Sequence, residues 1–208
     1  MPLLDATSDP KSLEAFLDLP AEVYRGDPWY NAPTRKDVLA SLFRADFTGA
    51  QRLWVALDSD RPTARPVARI VARRSPALRD ESGLPYGMLG FFEAREGAEE
   101  AVRSLFEESI RWLGETGAGT VVGPMDGDTW HKHRLSVGPW DDPPFLLEPY
   151  NPRYYPALWE ANGFTVLERY LSKRVDTETV AAFLEPKRQA ALEAGYSLRR
   201  LDPRRFDD

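Results

Sequence analysis

Apolar residues recur at helical spacing in five stretches of the chain. The strongest pattern covers Gly97–Thr116, where Val102, Leu105, Phe106 and residues further along the helix keep one face apolar. Gly117 follows, a residue type suited to the position just past a helix end. The other stretches also predict helices, with Pro20 expected to interrupt the first and Pro186 expected to break or kink the last. These are Ser12–Arg25, Val38–Gly49, Arg153–Asn162 and Thr177–Ala194.

Strand patterns fill the middle of the chain. Arg52–Leu57 and Pro66–Arg73, separated by a turn-rich stretch, predict an antiparallel hairpin. Tyr86–Glu93 is almost wholly apolar, which is typical of a central strand. With the helix that follows and a short strand at Thr120–Val122, it predicts a parallel strand–helix–strand unit. Two more segments have strand patterns: Phe164–Val175 predicts a strand or a bent hairpin, and Tyr196–Leu201 predicts a short strand.

Composition narrows the function classes. The 208 residues carry 27 Lys and Arg against 33 Asp and Glu, a formal net charge of −6. This acidic balance disfavours nucleic acid and anionic membranes as partners. Because the chain has no Cys, it has no disulfide, thiolate metal site or thiol nucleophile. No apolar run reaches the roughly 18 residues of a membrane helix, and the N-terminus lacks a signal-peptide core, so we expect a cytoplasmic protein.

The order of elements resembles the GNAT superfamily of acyl-CoA N-acyltransferases. The strand–helix–strand stretch Tyr86–Val122 and the helix ending in Asn162-Gly163-Phe164 carry this resemblance. Four motifs in the same order are similar to the N-terminal half of longer bacterial proteins built from two GNAT-like halves. They are GDPWYNAP (Gly26–Pro33), GFFE (Gly90–Glu93), GPMDGDTW (Gly123–Trp130) and EPYNPRYYPALWEANGF (Glu148–Phe164).

The resemblance implies an α/β fold with a mixed, mostly antiparallel central sheet flanked by helices. It implies a GNAT-like domain over residues 1–176, and a C-terminal helix and short strand over 177–208 that lead into a second half. It also implies acetyl-CoA or another acyl-CoA as co-substrate, held between two central strands without a metal. The implied binding residues are Leu89, Gly90, Phe91, Phe92, Arg95 and Gly97.

Candidate catalytic residues follow from the same resemblance. Glu93 ends the apolar strand, where a carboxylate can accept a proton from an amine; alternatively it is the first solvated residue after a buried strand. The family commonly has, at the position of Trp159, a tyrosine that protonates the leaving thiolate. An indole N–H cannot act as this proton donor. Tyr154 or Tyr155, earlier on this helix, is therefore the candidate acid, although Tyr155 and Trp159 at i and i+4 also fit a packed core.

The long irregular stretch Gly123–Pro152 predicts a functional loop region. Its polar and aromatic side chains are candidates for a substrate pocket, with a plain surface loop as the alternative. A His-x-His pair alone supplies too few ligands for a metal. The Arg-rich stretch Arg65–Arg79 predicts a solvated strand face. The candidate pocket residues are Asp128, Trp130, His131, His133, Tyr150 and Asn151.

Two functions from different classes remain open. The first is an N-acyltransferase that moves an acyl group from acyl-CoA to a small-molecule amine. The second is a non-catalytic GNAT-like domain that pairs with a partner half or forms a homodimer. Ala94–Val102 lacks the family's Gln/Arg-x-x-Gly-x-Gly/Ala pattern and places Glu96, Glu99 and Glu100 where a pyrophosphate is expected, which favours the second function. A small-molecule sensor built on the Pro-rich aromatic loop is a third reading.

Overall fold

The computed structural model describes residues 1–145, 148–197, 199–200 and 202. Two compact units divide the chain, Met1–Thr165 and Val166–Asp208; the domain boundary expected at residue 176 stays a prediction. The strands are β1 (Leu3–Asp5), β2 (Gln51–Leu57), β3 (Pro66–Arg79), β4 (Pro85–Ala94) and β5 (Val121–Val122). The helices are α1 (Pro10–Val23), α2 (Arg35–Leu42), α3 (Glu99–Glu115), α4 (Tyr155–Ala161) and α5 (Thr177–Glu193), with a 3-10 helix at Ala45–Phe47.

One five-stranded sheet in the order β1-β2-β3-β4-β5 organises the first unit. The first four strands are antiparallel to their neighbours, and β5 is parallel to β4. The predicted hairpin, the parallel strand–helix–strand unit and the mixed, mostly antiparallel sheet are therefore confirmed. Strand β1 was not predicted, because three residues are too short to show an alternating pattern.

Each face of the sheet packs against different helices. Ile70, Leu89 and Phe92 face α3 and α4, in a core that includes Phe106 and Trp159. On the other face, residues of β2, β3 and β4 pack with Phe16 of α1 and Leu42 of α2 in a second core. The alternation of strand side chains between these faces decides which helix each polar residue of the sheet meets.

Helix α1 continues through Pro20, contrary to the predicted interruption. A proline inside a helix removes the N–H that would bond the carbonyl four residues earlier, here the carbonyl of Phe16. The buried guanidinium of Arg69 donates to this carbonyl at 2.7 Å. Because a side chain from β3 replaces the missing backbone donor, the helix runs on to Val23.

Three further predictions differ from the structure. Helix α5 contains Pro186 without ending there. No strand forms over Phe164–Val175, since a strand needs a neighbour to bond its backbone and no described residue pairs with this segment. Strand Tyr196–Leu201 falls partly outside the described residues, at 198 and 201, and the described ones have no regular structure. None of the helices in the described ranges combines the length and apolar character needed to cross a bilayer.

Candidate active site

A β-bulge in β4 determines on which side of the sheet the candidate base Glu93 lies. Val71 pairs with Gly90 and Arg69 pairs with Glu93, so β4 has one residue more than β3 between these pairs. Phe91 takes up the extra length with a positive φ of 49°, a conformation that is uncommon outside glycine. Beyond the bulge, Glu93 lies opposite Arg69 and therefore shares its side of the sheet, the side covered by α1.

Glu93 is buried, with only 3% of its surface exposed, and is not the first solvated residue after the strand. Its Oε2 accepts the Tyr155 hydroxyl at 2.7 Å, and its Oε1 lies 3.4 Å from Nζ of Lys132. A buried carboxylate needs such donors, because an isolated charge away from water is strongly unfavourable. The structure thus places one ionisable carboxylate, a hydroxyl and an ammonium together at the end of β4.

The two tyrosines at the start of α4 sit beside the same strand. Tyr155 also accepts the backbone N–H of Ala94 at 2.8 Å, and the Tyr154 hydroxyl donates to the carbonyl of Ala94 at 2.7 Å. Burial, and then the negative charge of Glu93, raise the pKa of Tyr155 well above its ordinary value. Burial, followed by the charges of Glu96 and Glu93, raises the pKa of Tyr154 to about 12. Both hydroxyls therefore keep their protons at neutral pH.

Tyr24, at the end of α1, is a third tyrosine of this region and was not singled out from the sequence. It is 5% exposed, and its ring stacks on Tyr30 with centroids 3.8 Å apart. Burial first, and then the charge of Glu93, raise the pKa values of both residues, that of Tyr30 to about 12. The loop Gly26–Pro33 thus places Tyr30 against Tyr24 near the candidate base.

Beyond Val122, where β5 ends, the chain continues alongside β4 and remains hydrogen-bonded to it. The N–H of Met125 donates to the carbonyl of Leu89 at 2.7 Å. The N–H of Phe91 donates to Oδ1 of Asp126 at 2.6 Å. These are the backbone groups that sequence analysis assigned to acyl-CoA, and both are bonded within the protein here.

The other predicted acyl-CoA residues divide between the core and the start of α3. Phe92 packs its ring against Phe106, Tyr155 and Trp159, with centroids 5.0 to 5.5 Å apart. Arg95 pairs with Glu22 of α1 at 3.1 Å. Gly97 makes the turn before α3 with a φ of +82°, and Glu99 and Glu100 lie in the first turn of that helix.

Two arginines predicted to be solvated are instead buried on the α1 and α2 side of the sheet. Arg69 is 5% exposed and Arg73 is 1% exposed. Arg73 donates to the Gln51 side chain at 2.9 Å, and to the carbonyls of Ser41 and Leu42 at 2.8 Å each. It also bonds the carbonyl of Asp126. The prediction of a solvated face was wrong because these carbonyl acceptors allow the guanidinium groups to be buried.

Asp126 and Asp128 differ in environment although they are two residues apart. Burial raises the pKa of Asp126, which lies among the cations Lys132, Arg73 and Arg69. Burial also favours the neutral form of Asp128, but hydrogen bonds from His131 and Arg44 lower its pKa to about 2. The Asp128 carboxylate lies 2.6 Å from Nδ1 of His131 and 3.1 Å from Arg44. These contacts make a salt-bridged cluster at the surface.

The predicted pocket residues have different surroundings. Trp130 is 93% exposed beside the Asp128–His131 pair, and Nδ1 of His133 lies 3.0 Å from the carbonyl of His131. The Tyr150 hydroxyl donates to Asp27 at 2.5 Å. Asn151 is buried, and its side chain accepts the Ser136 N–H at 2.7 Å and donates to the Pro152 carbonyl at 2.9 Å. Among the described residues, no three His, Cys, Asp or Glu side chains gather as a metal site.

The residues that sequence reasoning missed are Tyr24, Arg69, Asp126 and Lys132. Arg69, Val71 and Arg73 are spaced two residues apart along β3, so their side chains lie on one face of the sheet. Because Val71 is apolar, this spacing already indicated that the two arginines are buried. The approach of Tyr24 and Lys132 to Glu93 depends on loop paths that leave no periodic pattern. Tyr24, Arg69 and Lys132 thus surround the Glu93 carboxylate with a hydroxyl and two cationic groups.

Comparison with known proteins supports the fold. No family model matches the sequence. A bacterial ceramide synthase from Caulobacter vibrioides (strain NA1000 / CB15N) is 26% identical over 203 residues, which cover 95% of this chain and 52% of that protein. The chain thus spans about half the length of this curated relative.

Solved structures named as acetyltransferases share the architecture. A "Putative acetyltransferase" from Agrobacterium tumefaciens str. C58 matches with a TM-score of 0.50 at 17% identity, covering 84% of this chain and all of that one. A "predicted acetyltransferase with acetyl-CoA" from Clostridium acetobutylicum matches with a TM-score of 0.52 at 7% identity, covering 83% and 95%. The resemblance drawn from the sequence is confirmed at the level of fold: the chain has the fold of the GNAT-type acetyltransferases.

Proposed function

We propose that this chain acts in acyl transfer from an acyl-CoA to an amine, with Glu93 as the general base. The observation that carries the proposal is the buried Glu93 carboxylate, held by Tyr155 at 2.7 Å at the end of β4 in an acetyltransferase fold. A buried carboxylate is suited to bind an ammonium group, remove its proton and leave a nucleophilic amine.

In the proposed reaction the amine nitrogen attacks the thioester carbon. A C–N bond forms, the C–S bond breaks, and coenzyme A leaves as the thiolate. The proton lost by the nitrogen goes to Glu93, which Tyr155 orients. Tyr154 and Tyr155 stay predicted proton donors to the thiolate. With a pKa of about 12, Tyr154 is a weaker acid than a cysteine thiol, whose pKa is about 8.5.

The name of the Caulobacter relative favours a finer proposal for the substrates. A ceramide is the amide of a fatty acid with a long-chain amino alcohol, so its synthesis joins an acyl group to an amine. We propose the same substrate classes for the present chain: a fatty acyl-CoA as acyl donor and an amino alcohol as acceptor. The match covers 95% of this chain and 52% of the relative, and the measurements below test whether this span is sufficient for binding and turnover.

One observation favours the alternative, a non-catalytic domain that supports a partner half. The N–H of Phe91 is already hydrogen-bonded to Asp126, and the carbonyl of Leu89 already accepts the N–H of Met125. For a pantetheine arm to bond these groups, the loop at Met125 and Asp126 has to move away from β4. The acidic first turn of α3, with Glu99 and Glu100, also repels a pyrophosphate.

Binding and turnover measured with one set of variants distinguish the two functions. Acetyl-CoA and octanoyl-CoA are titrated into the full chain by calorimetry, and thiol release is followed with 2-amino-1-octanol as acceptor. We expect micromolar binding, and a loss of turnover of about 10²-fold or more in Glu93→Gln. Glu81→Gln, an exposed glutamate before β4, is the matched control.

Each contrary result identifies what fails. The absence of acyl-CoA binding at millimolar concentration refutes catalysis by this chain and supports the partner-domain function. Binding and turnover that Glu93→Gln leaves unchanged exclude Glu93 as the base while keeping the reaction.

A further inference from the structure

The Tyr24 hydroxyl is buried facing the Glu93 carboxylate, without a hydrogen bond of good geometry to any described residue. Buried hydroxyl groups in folded proteins nearly always have a partner, since removing one from water without compensation is unfavourable. Replacing this tyrosine by phenylalanine would remove the unfavourable group and keep the ring packing. The unpaired hydroxyl therefore points to a bound partner that the free protein lacks.

The surrounding loop holds the Tyr24 ring in place. The ring stacks on Tyr30 at 3.8 Å and contacts Tyr150 at 6.0 Å between centroids. Asp27 fixes the loop by accepting the N–H of Trp29 at 2.9 Å and the hydroxyl of Tyr150 at 2.5 Å. Because its neighbours are held by one another, the hydroxyl is positioned before any ligand arrives.

The hydroxyl and the candidate base lie close together. Glu93 pairs with Arg69 on the neighbouring strand β3 and lies on the same side of the sheet. The Arg69 guanidinium is bonded to Phe16 of α1, and Tyr24 caps that helix. The charge of Glu93, after burial, contributes to keeping Tyr24 protonated at neutral pH. Tyr24 can therefore donate a hydrogen bond near the carboxylate that binds an ammonium group.

We propose that Tyr24 is an acceptor-binding residue that selects amino alcohols: its hydroxyl bonds an oxygen next to the amine that Glu93 engages. The inference rests on the proposed function and deepens it, by assigning the acceptor's second polar group to a named residue. A simple alkylamine fills only the Glu93 part of this site and leaves the Tyr24 hydroxyl unpaired. The site therefore prefers the amino alcohol.

Acceptor binding is measured without acyl-CoA, so that it does not depend on turnover. 2-Amino-1-octanol and octylamine are titrated by calorimetry into the full chain and into three variants. We expect the native chain to bind the amino alcohol about tenfold more tightly, as one added hydrogen bond allows. Tyr24→Phe is expected to lower this preference below about threefold by weakening only the amino alcohol.

Two other variants serve as controls. Tyr86→Phe removes a hydroxyl at the start of β4, seven residues before Glu93, and keeps the preference. Glu93→Gln weakens both amines together, because each loses its carboxylate partner. The urea unfolding midpoint of Tyr24→Phe is expected to equal or exceed that of the native chain, which shows that the variant folds.

The outcomes separate this inference from the proposed function. Equal affinity of the native chain for the two amines, no binding of either, or an unchanged preference in Tyr24→Phe overturns the inference. If the preference depends on Tyr24 but no acyl transfer occurs with octanoyl-CoA, the acyltransferase function fails and the amino alcohol site stands. If acyl-CoA binds and reacts without any such preference, the function stands and the assignment of Tyr24 fails.

Discussion

The guanidinium of Arg69 donates a hydrogen bond of 2.7 Å to the main-chain carbonyl of Phe16, the carbonyl that Pro20 leaves without a helical donor. The same guanidinium lies over the Phe16 ring, 4.5 Å from its centroid. Arg69 is also the cross-strand neighbour of Glu93. One buried side chain thus repairs a proline-interrupted helix and sits beside the candidate base, which ties the position of α1 to the site.

This relationship predicts that Arg69 and Pro20 are energetically coupled. We expect Arg69→Met to destabilise the fold by about 1–3 kcal/mol, since it leaves the buried Phe16 carbonyl unpaired. In the Pro20→Ala background a backbone N–H becomes available to that carbonyl, so Arg69→Met is expected to cost at least about 1 kcal/mol less. Urea unfolding of the four proteins measures the coupling, and strictly additive effects would contradict the proposed repair.

Asp126 is expected to stabilise the bulge through its hydrogen bond to Phe91, which is 2.6 Å long. Asp126→Ala leaves the Phe91 N–H unpaired at a residue with positive φ, and should cost about 1–3 kcal/mol. Asp126→Asn keeps an acceptor oxygen and should cost less. Equal losses in the two variants, measured by urea unfolding, would show that the charge of Asp126 matters and the hydrogen bond does not.

Alkaline pH is expected to destabilise the fold through the tyrosines around Glu93. Burial first, and then this carboxylate, raise the folded-state pKa values of Tyr24, Tyr30 and Tyr155. An unfolded tyrosine titrates near pH 10, so above this pH the unfolded chain loses protons that the folded chain retains. The stabilisation from each raised pKa is therefore complete below about pH 10 and is lost as pH rises further.

Urea unfolding at intervals from pH 8 to pH 11 tests this sign. The native midpoint should fall above about pH 10, and Tyr24→Phe should flatten the fall because one coupled proton is gone. Tyr86→Phe serves as the control for removing a tyrosine elsewhere on β4. A native midpoint that rises with alkaline pH, or a fall of the same slope in Tyr24→Phe, would rule out the coupling.

Much of the fold was readable from the sequence because its long elements carry strong periodicity. The amphipathic pattern of α3 and the apolar run of β4 fix the parallel unit, and Glu93 follows directly at the strand end. The strand predicted over Phe164–Val175 does not form. Its alternating pattern depends only on its own residues, whereas a strand also needs a partner strand, which the described part of the chain does not supply.

The rest of the candidate site depends on contacts between distant segments. Tyr24 meets the neighbourhood of Glu93 only because Arg69 holds α1 on β3, and Asp126 meets Phe91 only because β4 bulges. Neither contact has a signature in local residue spacing. The burial of Arg69 and Arg73 was hidden for the same reason, since their acceptors are main-chain carbonyls of other elements.

The loop that follows β5 lies directly against β4 at Gly90. A Cβ added at Gly90 would lie 2.7 Å from Oδ1 of Asp126 and would also collide with the main-chain oxygen of Met125. Backbone atoms cannot give way as a flexible side chain does, so we expect Gly90→Ala to destabilise the fold by about 1–3 kcal/mol or more.

Gly114 provides the matched glycine. It lies inside α3, and a Cβ there would meet nothing within 4 Å, so Gly114→Ala is expected to stabilise the fold by about 0.5–1 kcal/mol. Urea unfolding of both variants gives the two signs in one experiment. If Gly90→Ala were as stable as the native chain, the loop at Met125 and Asp126 would have to stand away from β4, leaving room between the strands for a pantetheine arm.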